Sequence, residues 1–353
     1  MIRDGIAKLV EGKDLTRMEA EEIMAEIMSG KATEAQIASF LTALRMKGET
    51  IEEITAFASV MRKFCYQIHP KVTGTLVDIV GTGGDRIKTF NISTIAAFVV
   101  AGAGIAVAKH GNRSVTSRCG SADVLEALGF NLKMPPALVE KSIKEIGIGF
   151  MFAPNFHPAM GYALIPRREI GIRTVFNILG PLTNPADAKA QLSGVYDEEL
   201  TEPFAHVLKN LGLERAMVVH GLDGLDEIST IGRTKITSLA QHEVSTTYID
   251  PKDLGFNKVN KSSLEVTTPS ESAEIVFKIL NGHECDLEKP KRDIVLANAA
   301  AAIFLANKSE SLTVAIDVAR GSIENGSAYK KLKSLIKFSG GDLTILEELE
   351  HNG

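Results

Sequence analysis

The 353-residue chain is 44% apolar and 24% charged, the balance of a globular protein with enough hydrophobic material for two domains. Its net charge of −5 argues against a globally basic binder of nucleic acid or anionic membrane, so any anion site must come from a local cluster. Three widely spaced cysteines, Cys65, Cys119 and Cys285, offer neither a disulfide framework nor a CxxC metal pair, which fits a reducing cytoplasm. The first residues are charged and lack an apolar signal core, and the longest apolar run, Ile95 to Ala108, is about half a membrane span.

In chain order, the first 65 or so residues read as helical. Met18, Ile23, Met24, Ile27 and Met28 recur at helical spacing before Gly30, and a second unit from Thr33 carries Ile37, Phe40, Leu41 and Leu44 on one face. Thr50-Ile51-Glu52-Glu53 has the pattern of a capping box and opens a third helix. Short helices with short connections predict a small all-α domain over residues 1–70. From 71 to 353 the expectation is a large α/β domain with a mainly parallel central sheet flanked by helices. Strands are expected at Leu76–Val80, Ile105–Ala108, Ile148–Phe152, Gln191–Tyr196 and Arg215–His220, with helices at Ile95–Ala101, Ser121–Leu128 and Glu198–Leu211. Thr234 to Asp250 reads as a peripheral β ribbon, and the chain is mostly helical from Ser270. The Pro-, Arg- and Gly-rich stretch 158–185 is ambiguous and is a candidate to return to the N-terminal helices.

The chemistry is expected at the carboxyl ends of the strands, where α/β folds bind ligands. Gly81-Thr82-Gly83-Gly84-Asp85 follows the first strand, and three glycines in four residues let backbone N–H groups approach a phosphate. A tight strand–helix turn explains such a loop equally well. It is not a Walker A loop, since Ile87 precedes Lys88-Thr89, and Arg86 stands where a dinucleotide fingerprint needs its third glycine. Asn91-Ile92-Ser93-Thr94 then opens a helix, whose free N–H groups suit an anion, although plain capping by Ser93 or Thr94 is the simpler reading. Lys109 to Arg118 places three fixed cations and several hydroxyls at the end of the second strand, a local anion-binding surface in an acidic protein. Asp226-Glu227 is an adjacent acid pair of the kind that binds Mg²⁺ together with a substrate phosphate; surface acid pairs are also common. His110, His157 and Arg167-Arg168 are weaker candidates, open to both a site role and ordinary packing or solvation.

Together these segments resemble the anthranilate phosphoribosyltransferase family. The matching strings run in order along essentially the whole chain: GTGGD at 81–85, NIST at 91–94, KHGNRSVTS at 109–117, GSADVLEALG at 120–129, HPAM at 157–160, GIRTVFNILGPLTNPA at 171–186 and GLDEI at 224–228. The resemblance implies a cytoplasmic homodimer that transfers the phosphoribosyl group of 5-phosphoribosyl 1-pyrophosphate to anthranilate, with two Mg²⁺ ions. It implies donor contacts from Gly81, Gly84, Asp85, Thr89, Asn91, Ile92, Ser93, Thr94, Lys109, His110, Gly111, Asn112, Arg113, Ser114, Val115, Thr116, Ser117 and Ser121. Lys109 would add electrostatic stabilisation, and no residue is assigned as a general base. Gly81, Asn112 and Arg167 would contact anthranilate, and Ser93, Asp226 and Glu227 would hold the metal. Cys119 and Thr116 stand where serines are frequent in the family, without removing a charge or an expected metal ligand. Two other readings compete: a pyrimidine-nucleoside phosphorylase of the same fold, and a non-catalytic nucleic-acid-binding relative, the latter disfavoured by the net acidity. Neither nucleic acid nor membrane is the expected partner.

Overall fold

The computed structural model describes residues 1–84, 87–114, 119–266, 268–282 and 288–352. The chain opens with four helices, α1 (Ile2–Val10), α2 (Arg17–Met28), α3 (Glu34–Lys47) and α4 (Ile51–Lys63). Thr16, Thr33 and Thr50 start the last three, each in a reciprocal capping box with Glu19, Gln36 or Glu53, so two free N–H groups are satisfied at each start. Glu53 is fully buried and also accepts from the Leu15 N–H at 2.9 Å and from Lys47 Nζ at 2.8 Å. The carboxylate therefore ties α3, α4 and the α1–α2 connection into one bundle, where an unpaired buried charge would be costly.

The α/β part continues with β1 (Val77–Gly81), α5 (Ile92–Gly102), β2 (Val107–Gly111), α6 (Ser121–Ala127), α7 (Pro136–Ile146) and β3 (Ile148–Phe152). A short α8 (Ala153–Phe156), α9 (Gly161–Ile170) and a second short helix, α10 (Phe176–Leu179), lead to β4 (Ala190–Gly194), α11 (Thr201–Asn210) and β5 (Arg215–Gly221). The hairpin β6 (Thr234–Ala240) and β7 (Glu243–Ile249) precedes α12 (Pro269–Leu280), α13 (Lys289–Leu305), α14 (Leu312–Glu324), α15 (Ser327–Phe338) and α16 (Thr344–Asn352). The strands form one sheet in the order β3-β2-β1-β4-β5-β6-β7. The first five are parallel, and β6 and β7 extend the edge antiparallel. The chain moves outward from β1 to β2 and β3, then crosses to β4 on β1's other side, which makes the carboxyl end of β1 a switch point.

Alternate residues of β5 face two different cores. Met217 and Val219 join the core beneath α5, α13, α14 and α15, whereas Ala216 and Val218 join a second core with α11 and the N-terminal bundle. The ambiguous stretch 158–185 supplies Ala163, Val175, Phe176, Ile178, Leu179 and Leu182 to that second core, so it packs on the bundle by its apolar residues. The bundle's hydrophobic interior thus runs through α10 to one face of the sheet, which fixes the helices relative to the strand ends.

Candidate active site

β1 ends at Gly81, one residue later than its apolar run predicts, and the loop that follows is held at three consecutive residues. The Thr82 N–H donates to the Gly194 carbonyl at 2.9 Å, and the Thr82 hydroxyl accepts from the Tyr196 N–H at 3.1 Å. Gly83 N–H donates to Asp226 Oδ2 at 2.9 Å, and the Gly84 carbonyl accepts from Arg173 Nη2 at 2.7 Å. Gly83 and Gly84 have φ of 64° and 78°, left-handed conformations that favour glycine. Gly81 and Gly194, at the ends of adjacent strands, leave room for Asp226: a Cβ on Gly81 would lie 2.6 Å from Asp226 Oδ2, and one on Gly194 would collide with the Asp226 backbone carbonyl. Glycine here serves close approach as much as turning. Asp85 lies outside the described residues.

Lys109 differs from its expected place in a loop. β2 runs on through Lys109, His110 and Gly111, which pair in register with Phe150, Met151 and Phe152 of β3. Pairing extends into this polar stretch because Lys109, though only 4% exposed, is satisfied: Nζ donates to the Ile79 carbonyl at 2.7 Å and to Ser93 Oγ at 3.3 Å. Burial pulls its pKa down to about 8, opposed by the negative charges of Asp78 and Glu227. Lys109, Ser93 and Glu227 therefore converge from β2, α5 and the loop after β5. Asp226, beside Glu227, is held above the usual carboxylate range by burial, against the stabilising Gly83 N–H.

The helix behind the NIST string starts at Ile92, not Ile95, and neither Ser93 nor Thr94 is its cap. Both lie in its first turn, Thr94 fully buried and Ser93 turned to Lys109. Asn91 occupies the cap position without a capping side-chain bond; its amide donates to the Cys119 carbonyl at 3.2 Å and accepts from Ser272 Oγ at 2.8 Å. Asn91 thus ties the helix start to the loop before α6 and to the first turn of α12. Ile92 is buried in the large core, and Thr89 bridges to Glu265.

After β2, the Asn112 carbonyl accepts from Ser121 Oγ at 3.4 Å and from the Ala122 N–H at 3.2 Å, and Asp123 accepts the Ser114 and Gly120 N–H groups. A Cβ on Gly111 would collide with Ser121 Oγ, so the chain crosses the start of α6 at close range. Arg113 does not present a free cation: its guanidinium is paired with Asp123 at 2.9 Å and with Glu126 at 2.7 Å. The positive surface expected between 109 and 118 is therefore reduced by these two acids. Val115, Thr116, Ser117 and Arg118 lie outside the described residues, as does Cys285.

Arg167, on α9, is half-buried over the Phe176 ring, 5.2 Å from its centroid. Burial lowers its pKa, and among the described residues no carboxylate lies within ion-pairing distance. A planar guanidinium held in this way suits a ligand carboxylate. His110 and His157 pack ring to ring, with centroids 5.0 Å apart. Burial is the main cause that pushes them down to about 3 and about 4, so both are neutral near pH 7. Each has a buried Nε2 with no partner among the described residues. Sequence reasoning assigned no role to Arg173, Tyr196 or Gly194. Arg173 lies inside the quoted GIRT string, but only the fold shows that it reaches Gly84.

A glycine-rich loop at a sheet switch point, flanked by a buried lysine and an acid pair and backed by a helical bundle, is an arrangement suited to a phosphorylated substrate. The comparisons with known proteins agree. The model described as "Glycosyl transferase family, a/b domain" matches residues 73–329, and "Glycosyl transferase family, helical bundle domain" matches 3–65. An anthranilate phosphoribosyltransferase of Methanocorpusculum labreanum is 53% identical over 341 residues, covering 97% of this chain and 99% of that one. The crystal structure of the Thermus thermophilus anthranilate phosphoribosyltransferase is 39% identical with a TM-score of 0.89, covering 95% of this chain and 99% of that one. The Saccharomyces cerevisiae enzyme in complex with PRPP and Mg is 29% identical with a TM-score of 0.88, covering 96% and 98%. The chain belongs to this glycosyl transferase family and, within it, to the anthranilate phosphoribosyltransferases.

Proposed function

We infer that the protein transfers the phosphoribosyl group of 5-phosphoribosyl 1-pyrophosphate to the amine of anthranilate, releasing pyrophosphate. The observation that carries this reading is the convergence of the triply anchored loop 82–84, Lys109 with Ser93, and Asp226-Glu227 at the end of β1. The curated relatives of about half-identical sequence bear the transferase name, which favours this reading over a nucleoside phosphorylase or a nucleic-acid-binding relative.

The donor's phosphates would lie against the loop Gly81–Asp85, the start of α5 at Asn91, Ile92, Ser93 and Thr94, and the segment Lys109–Ser117 with Ser121, with Thr89 nearby. The Lys109 ammonium is fixed in place by Ile79 and Ser93 before the donor binds, so it stabilises developing negative charge without reorganising. The donor set fits magnesium, a hard cation that takes one or two carboxylates, a hydroxyl and substrate phosphate oxygens. Ser93, Asp226 and Glu227 would hold two such ions, whose charge offsets that developing on the departing pyrophosphate. The bond from the sugar C1 to pyrophosphate breaks with its electron pair, the amine nitrogen bonds to C1, and one amine proton is lost. Arg167 would take the anthranilate carboxylate, and Asn112 and Gly81 would border its ring. The amine needs no strong base, because its lone pair is free at neutral pH, and the substrate's own carboxylate is placed to receive the proton.

Residues 1–70 with the return segment 158–185 form the helical domain in this reading, and 71–353 the donor-binding domain. The working form is a homodimer in the cytoplasm; exposed apolar side chains on and beside α9, including Tyr162, Leu164, Ile165 and Ile172, support a second copy as partner. No helix among the described residues is long and apolar enough to cross a membrane. The test is direct: purified protein should abolish anthranilate fluorescence only when 5-phosphoribosyl 1-pyrophosphate and Mg²⁺ are both present. Phosphate-dependent release of thymine or uracil, with anthranilate untouched, would replace this reading by the phosphorylase one.

A further inference from the structure

We propose that Arg173 is a positioning residue for the donor loop, clamping the Gly84 carbonyl and tying the loop to the helical bundle. The proposal rests on the reading of loop 81–85 as the donor cradle. Each described residue after Gly81 is held by a different element: Thr82 by the end of β4, Gly83 by Asp226 after β5, and Gly84 by Arg173. The first two anchors are a backbone group and a carboxylate of the site itself. The third comes from the segment between α9 and α10, whose next residues, Val175, Phe176, Ile178 and Leu179, are buried in the bundle core.

Arg173 is an exposed side chain, and an exposed arginine would ordinarily sample many rotamers. Here its guanidinium lies over the Tyr196 ring, 4.2 Å from the centroid, while Nη2 donates to the Gly84 carbonyl at 2.7 Å. Tyr196 is itself tied to the loop, since its N–H donates to the Thr82 hydroxyl. Stacking restricts the arginine plane, and the charge-assisted bond then fixes the carbonyl. The absence of a side chain at Gly84 permits this, because a Cβ there would lie 2.9 Å from Nη2. A carbonyl oxygen free to turn toward bound phosphates would repel them. Arg173 holds it in place and adds positive charge beside the loop. Arg167, six residues earlier in the chain, is the proposed acceptor contact, so one segment would position both substrates.

The test uses Arg173→Ala, Arg173→Lys and Tyr196→Leu in the full-length protein, each checked for an unchanged thermal midpoint. Backbone hydrogen exchange over residues 77–90 is measured without substrate, alongside KM for both substrates and kcat. Arg173→Ala should speed exchange in that peptide and raise donor KM roughly 10- to 100-fold, with a smaller change in kcat and in anthranilate KM. Tyr196→Leu should act in the same direction and more weakly, and Arg173→Lys should restore only part of the loss, since lysine lacks the planar fork. Unchanged exchange in Arg173→Ala would overturn the clamp whatever the loop binds, and full rescue by lysine would reduce the role to charge alone and overturn it too. Faster exchange with an unchanged donor KM would support the clamp while counting against the loop as donor cradle.

Discussion

Alanine at Gly83 and, separately, at Gly84 distinguishes the two demands placed on the donor loop. Both glycines have left-handed φ, 64° and 78°, so each substitution carries a backbone penalty of about 1–2 kcal/mol if the loop keeps its shape. At Gly83 the new methyl group meets nothing within 4 Å, so that penalty is the whole effect. At Gly84 the methyl lies 2.9 Å from Arg173 Nη2, and the guanidinium must move off the carbonyl it bonds. Loss of a hydrogen bond to a charged group adds about 1.5–3 kcal/mol. Donor affinity, measured by titration calorimetry, should therefore weaken roughly 5- to 30-fold in Gly83→Ala and a further ~10- to 100-fold in Gly84→Ala. Thermal midpoints should change little, because the loop lies outside both cores and relaxes in the free protein, so the penalty falls on adopting the donor-binding shape. An effect at Gly84 no larger than that at Gly83, in folded protein, would refute the reasoning.

Arg167→Ala should raise KM for anthranilate by about 10- to 100-fold while leaving donor KM near its starting value; unchanged constants for both substrates would remove Arg167 from the acceptor site. Asp226→Asn with Glu227→Gln should abolish most magnesium-stimulated turnover, and full activity across a magnesium titration would contradict the metal assignment. His110 and His157 are held neutral far below their ordinary value of 6.5, at about 3 and about 4. Between those values and 6.5 the unfolded chain binds more protons than the native one, so this pair lowers stability as pH falls from about 6.5 toward 4. Asp78, raised to about 6 by burial, works in the opposite sense, so a variant comparison is the sharper reading. His157→Gln should flatten the acid side of the stability profile by up to ~3 kcal/mol in urea titrations, and parallel profiles would contradict its buried neutral state.

Much of the architecture was legible because its signals are local. The helical spacing of Ile37, Phe40, Leu41 and Leu44 and the Thr50–Glu53 box marked two bundle helices, and buried apolar runs located all five parallel strands. The strand ends were less clear, since Lys109 and His110 look like loop residues until the fold supplies partners for a buried ammonium. Ser93 and Thr94 looked like caps because their type suits that place, yet Ile92 already belongs to the helix. Arg113 illustrates a different limit: a basic loop read alone shows charge, whereas Asp123 and Glu126, on the next helix, neutralise it. The contacts that shape the loop join residues far apart in sequence, Gly83 with Asp226 and Gly84 with Arg173. No periodicity or spacing encodes such pairs. The glycines at 81 and 194 carry the same lesson, since the Asp226 they admit lies in the connection between β5 and β6.

The most direct measurement follows anthranilate consumption and pyrophosphate release together in one reaction of purified protein, donor and Mg²⁺. One pyrophosphate should appear for each anthranilate lost, and a single product with the mass of donor plus anthranilate less pyrophosphate, N-(5-phosphoribosyl)anthranilate, should accumulate. Pyrophosphate released without loss of anthranilate, or no turnover of either, would contradict the assignment of this site to phosphoribosyl transfer.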